Sequence, residues 1–152
     1  MMRPQSIALA VFSVVAVFTT TGAAVSSHKS DARVAAKSVW DSVYTLDQAK
    51  RADSVYARGC AKCHGDALTG TADGPPLVGN DFMVDFNGST AGDLYNQILN
   101  SMPRDEPNTV SPAAKIDILA VIFRENKFPA GSKELPTDTL ALKDIKIEAV
   151  KK

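Results

Sequence analysis

Gly59-Cys60-Ala61-Lys62-Cys63-His64-Gly65 is the stretch on which the fold turns. Its cysteines are the only two in the chain and stand three residues apart, so they cannot staple distant segments as disulfides do in small secreted domains. Residues three apart at a helix end share a face, which would present both thiols to one edge of a single group, with the His64 imidazole next in line. A zinc site would need about four N, S or O ligands. The other histidine, His28, is far away in a polar stretch. A thioredoxin-like thiol pair would need a strand–helix–strand setting, which the surrounding pattern lacks. C-x-x-C-H is instead the attachment pattern of a c-type haem: the two thiols reach the porphyrin vinyl groups, and His64 is set to ligate the iron.

Upstream, Val39, Trp40, Val43 and Tyr44 mark where folded chain begins. Thr45 and Gln48 have capping-box spacing and Asp47 suits a first turn, predicting a helix over residues 46–58 with Ala49, Ala52, Val55 and Tyr56 inward. Gly59 is expected to free the backbone ahead of Cys60. Downstream, residues 65–88 are rich in Gly, Asp, Asn and Pro without lasting periodicity, and predict a long functional loop. Thr90 and Asp93 predict a second capped helix through Leu94, Ile98 and Leu99 to about Ser101, ended by Pro103. Ser111-Pro112 starts a third, running to about Asn126 and burying Ile116, Leu119, Ala120 and Phe123 before Pro129 and Gly131 stop it. Residues 142–147 alternate weakly and suggest an extended segment. The fold class is all-α, with three main short helices and long loops. Side chains alone would give such a chain a thin core, leaving room for a group at its centre.

Two methionines compete for the sixth position on an iron, because Met1 and Met2 belong to the N-terminal leader. Met102 ends the second helix against Pro103, whose fixed geometry turns the chain and suits a thioether facing a metal. Met83, between Phe82 and Val84, reads as core filler. His28 is a poor candidate. Gly74-Pro75-Pro76-Leu77 follows His64, and the Pro75 carbonyl could accept the second ring N–H of a ligating histidine. The same residues also fit a plain proline-rich turn.

At the N-terminus, Arg3 precedes an apolar run over residues 7–18 and a softer stretch ending in Ala23-Ala24, the pattern of a secretory signal peptide over residues 1–23. Residues 7–25 are also just long enough for a retained membrane anchor, the one way this chain would engage a membrane. Residues 24–38 read as a flexible tether, 39–130 as the domain and 131–152 as a C-terminal extension. The expected location is periplasmic or otherwise extracytoplasmic. Lys+Arg and Asp+Glu both number 17, and this balance offers no basic surface for nucleic acid.

Over residues 47–128 the chain resembles the class I cytochromes c, in the order helix, Cys60–His64, the Gly74–Leu77 loop, Ser101-Met102-Pro103 and a final amphipathic helix. That resemblance implies one covalent haem c through Cys60 and Cys63, axial ligands His64 and Met102, Pro75 as partner of His64, and Leu77 against the haem. It also implies a crossing of the first and last helices, Ala52 and Tyr56 against Ile118, Val121 and Ile122. The flanks Ser38–Thr45 and Phe128–Ser132 are similar to bacterial periplasmic cytochromes, some of which accompany quinoprotein dehydrogenases. The expected activity is single-electron transfer between redox proteins, such as a quinoprotein dehydrogenase or a terminal oxidase, without enzymatic turnover of its own. The competing reading is a gas sensor or haem enzyme subunit with an open or labile sixth position.

Overall fold

A computed structural model describes residues 37–151, so the leader and His28 lie outside the described residues, as does the tether up to residue 36. The Thr45 hydroxyl accepts the Gln48 amide at 3.0 Å and starts helix α1, Leu46–Gly59. Only half of the expected capping box forms. The Gln48 side chain is buried and its Oε1 instead accepts the amide of Leu135 at 2.9 Å. Gly59 completes α1 rather than loosening it, and Cys60 passes directly into the single turn of α2, Ala61–His64.

The expected loop over residues 65–88 is loop only in its first half. Gly79–Phe86 forms helix α3, too short for its periodicity to show in sequence. Two contacts hold it: Phe82 and Phe86 stack with centroids 4.9 Å apart, and Asn126 Oδ1 accepts the Gly79 amide at 3.1 Å. Helix α4, Ala91–Ser101, begins with the reciprocal box expected of Thr90 and Asp93. A short 3-10 turn, Pro107–Thr109, precedes α5, Pro112–Glu125, where Ser111 Oγ accepts the Ala114 amide. Of residues 142–147, expected to be extended, Leu142 and Lys143 belong instead to a further helix, α6, Thr139–Lys143. Only Ile145–Lys146 is extended, as strand β2 paired in parallel with strand β1, Lys37–Ser38.

The fold is all-α, and α1 crossing α5 is its most extensive contact. Ala49, Ala52 and Tyr56 of α1 are buried there, while α5 buries Ile116, Ile118, Leu119, Ala120, Val121, Ile122 and Phe123. An aromatic knot closes one end, with Phe128 edge-on to Trp40 at 5.0 Å and to Phe123 at 5.8 Å. Tyr44 donates its hydroxyl to the Phe128 carbonyl at 2.9 Å. Residues 131–147 complete the same core: Leu135, Leu142, Ile145 and Ile147 are all buried, and α6 packs on α4. No helix among the described residues is long and apolar enough to cross a membrane.

Candidate haem site

Cys60 closes α1, its amide donating to the Tyr56 carbonyl at 2.8 Å. Its own carbonyl then accepts the amides of Cys63 at 3.1 Å and His64 at 2.9 Å, so both cysteines and His64 ride on one tight turn. Both thiols are free and half-buried, and burial pushes Cys60 up to about 11. A one-turn helix leaves its carbonyls without helical partners. The following loop supplies them. Thr71 Oγ1 donates to the Cys63 carbonyl at 2.6 Å and the Gly70 amide to that of His64 at 2.8 Å, while from α1 the Tyr56 hydroxyl donates at 2.8 Å to the carbonyl of Gly65, just past the turn. Gly74 allows the loop to fold back this far, since a Cβ there would lie 2.9 Å from the Cys63 oxygen.

The fold-back brings Pro75 to His64, whose Nδ1 lies 2.8 Å from the Pro75 carbonyl. A carbonyl can only accept, so Nδ1 carries the proton, and in the neutral ring Nε2 keeps its lone pair. Nε2 has no hydrogen-bond partner among the described residues, although His64 is only 8% exposed. An oriented imidazole with its second nitrogen free is the arrangement of a metal-ligating histidine.

Leu77 and Met102 are half-buried at the edge of the core, and so is Met83, on α3. The corner after Met102 lies against the end of α1: a Cβ on Gly59 would meet Pro103 at 3.8 Å and Val110 at 3.7 Å. The structure thus brings Cys60, Cys63, His64 and Pro75 together by hydrogen bonds, and sets Pro103, which follows Met102, against Gly59 at the end of α1. Leu77 is held from the C-cap of α5, where Asn126 Nδ2 donates to its carbonyl at 2.9 Å.

Sequence reasoning missed three supports of this site: Tyr56 as a hydroxyl donor, Asn126 as a clamp on both Leu77 and Gly79, and Lys115. The Lys115 ammonium is buried, donating to the carbonyls of Leu99 at 2.9 Å and Pro107 at 2.7 Å. Burial lowers its pKa, partly offset by the Cys60 thiol. The available signal was its register. Lys115 stands next to Ile116 and four residues before Leu119, on the apolar face of α5.

Two free thiols on one turn and a pre-oriented imidazole with an unused nitrogen fit a porphyrin joined by two thioethers, and Leu77, Val78, Phe86, Leu99 and Val110 are among the half-buried apolar side chains packed against the core. The fold and this donor set define a haem-binding protein of the c type. The family described as cytochrome c oxidase, cbb3-type, subunit III matches residues 47–121. A chain in the crystal structure of the sulfane dehydrogenase SoxCD from Paracoccus pantotrophus superposes with a TM-score of 0.47 at 21% identity, over 70% of this chain and 61% of that one. This chain therefore spans about three fifths of the length of that structural relative. No curated protein sequence matches it. Residues 47–121 are thus similar to a c-type cytochrome domain, and Cys60 and Cys63 are the pair that fits covalent attachment of haem c.

Proposed function

We propose that the protein is a single-electron carrier of an extracytoplasmic redox chain, with His64 and Met102 as axial ligands. The observation that carries this reading is the hydrogen bond from His64 Nδ1 to the Pro75 carbonyl, which leaves Nε2 unpartnered beside two free thiols. When bound, the haem supplies a one-electron Fe(III)/Fe(II) couple. Pro75 fixes the ring of His64 and makes it a better donor. Met102 would offer a soft thioether that favours the reduced state. If His64 and Met102 both held the iron, this chain would leave no open position for a gas or an oxidisable substrate. The partners are redox proteins, of which a quinoprotein dehydrogenase or a terminal oxidase fits the task, met through small, brief interfaces. Residues 1–23 act as the export signal.

Spectra of protein matured in a haem-attaching host test this reading. Wild type should show the weak long-wavelength ferric band of methionine ligation and refuse carbon monoxide when reduced. Met102→Ala should lose the band, bind carbon monoxide and fall in potential, while Met83→Ala changes none of these. The reverse result would assign the ligand to Met83. Carbon monoxide uptake by the reduced wild type would replace the carrier with an open-site sensor or enzyme.

A further inference from the structure

Lys115 is 2% exposed, and its ammonium makes no ion pair with a carboxylate among the described residues. An unpaired buried charge is costly, and a helix face this apolar would ordinarily carry leucine or methionine at that position. What holds the charge is local. In α4 the carbonyl of Leu99 would normally accept the amide four residues on, but that residue is Pro103, which has no N–H. Lys115 Nζ fills the gap at 2.9 Å, as a cation beside the negative end of α4. A second N–H reaches the Pro107 carbonyl at 2.7 Å, at the start of the 3-10 turn. One ammonium therefore ties both ends of residues 99–107, the segment that contains Met102. Neighbouring contacts set this arch beside the haem-attachment turn, Pro103 and Val110 lying against Gly59.

We propose that Lys115 is the positioning residue of the sixth ligand: it closes residues 99–107 into a fixed arch that keeps Met102 on the iron. This rests on the assignment of Met102 above. A neutral apolar side chain would leave two carbonyls unpaired and the arch open at both ends, and a single amide could serve both only with poorer geometry.

The test compares Lys115→Met, similar in length but without donors, with Lys115→Gln and wild type, all as matured haem protein. Haem attachment is read by mass and folding by helicity. Lys115→Met should mature and keep its helices, yet lose most of the long-wavelength ferric band and take up carbon monoxide when reduced. Its Fe(III)/Fe(II) equilibrium should shift about tenfold toward the ferric state, about 59 mV for a one-electron couple. Lys115→Gln should fall between the two. A wild-type band, no carbon monoxide uptake and an unchanged potential in Lys115→Met would overturn the proposal while leaving Met102 as ligand. A wild type that lacks the band would overturn the ligand assignment and this proposal with it. Should Lys115→Met fail to mature, Lys115→Gln carries the same readouts. Failure of both would also count against the proposal, because a residue serving only Met102 leaves attachment at Cys60 and Cys63 intact.

Discussion

Gly74 meets the backbone of Cys63 so closely that an added Cβ would lie 2.9 Å from its oxygen and 3.1 Å from its carbonyl carbon. Neither atom can swing aside, because the Cys63 carbonyl is also held by Thr71. Gly74→Ala must therefore push the loop away from the haem turn, and Pro75 with it. The expected cost is about 1–3 kcal/mol of stability, the range for overpacking. Chemical denaturation of the haem protein measures it, and a variant as stable as wild type would show the fold-back to be loose. At this scale the attachment turn was legible because it is written in five consecutive residues, Cys60 to His64. Tyr56, Asn126 and Lys115 were not. Their hydrogen bonds go to backbone carbonyls of other segments, and a carbonyl's need for a partner leaves no mark on the residue that will supply it.

Helix starts show the same division. Thr90 and Asp93 are three apart with nothing to compete for either side chain, and the full box forms: Asp93 Oδ2 accepts from the Thr90 amide at 3.1 Å and from its hydroxyl at 2.7 Å. Thr45 and Gln48 have the same spacing, but Leu135 of the distant extension recruits the Gln48 side chain. Capping predicted where α1, α4 and α5 begin, whereas α3 and α6 owe their existence to partners such as Asn126 and α4. Asp93 also carries a pH dependence. The Thr90 hydroxyl, foremost, holds its carboxyl below the usual carboxylate range. A depressed folded pKa stabilises above the unfolded value, about 3.9 for Asp, and that contribution disappears as pH falls through the folded value. Asp93→Asn should therefore lower the thermal midpoint at neutral pH and flatten its decline in acid. Parallel acid limbs in the two proteins would remove Asp93 from the account.

For the molecule as a whole, residues 131–147 add to a domain in which α5 already packs on α1 and α4, and α1 packs on the haem turn. Gly131 enters against Ser42, whose carbonyl would overlap any Cβ at that position, and its amide donates to Tyr44 at 2.7 Å. The chain then runs past Gln48, forms α6 on α4, and pairs through β2 with β1. Ile147 exchanges backbone hydrogen bonds with Gly88 and Ser89, just before the cap of α4, and the Glu148 carbonyl accepts the Trp40 indole at 2.9 Å. Four side chains are buried on the way, Leu135, Leu142, Ile145 and Ile147. At about 1.5–3 kcal/mol each, they are comparable to the whole margin of about 5–15 kcal/mol by which a domain is stable. Leu142→Ala should accordingly cost about 2–5 kcal/mol, read as a lower denaturation midpoint with an unchanged neutral spectrum. Deleting residues 133–152 should do more: thioether attachment at Cys60 and Cys63 survives, because it is local chemistry, but cooperative unfolding is lost. Methionine ligation weakens with it, since α4, which Met102 caps, has lost the cover over its start. A truncated protein that unfolds cooperatively near the wild-type midpoint would make the extension an appendage, and the core would then end at Phe128.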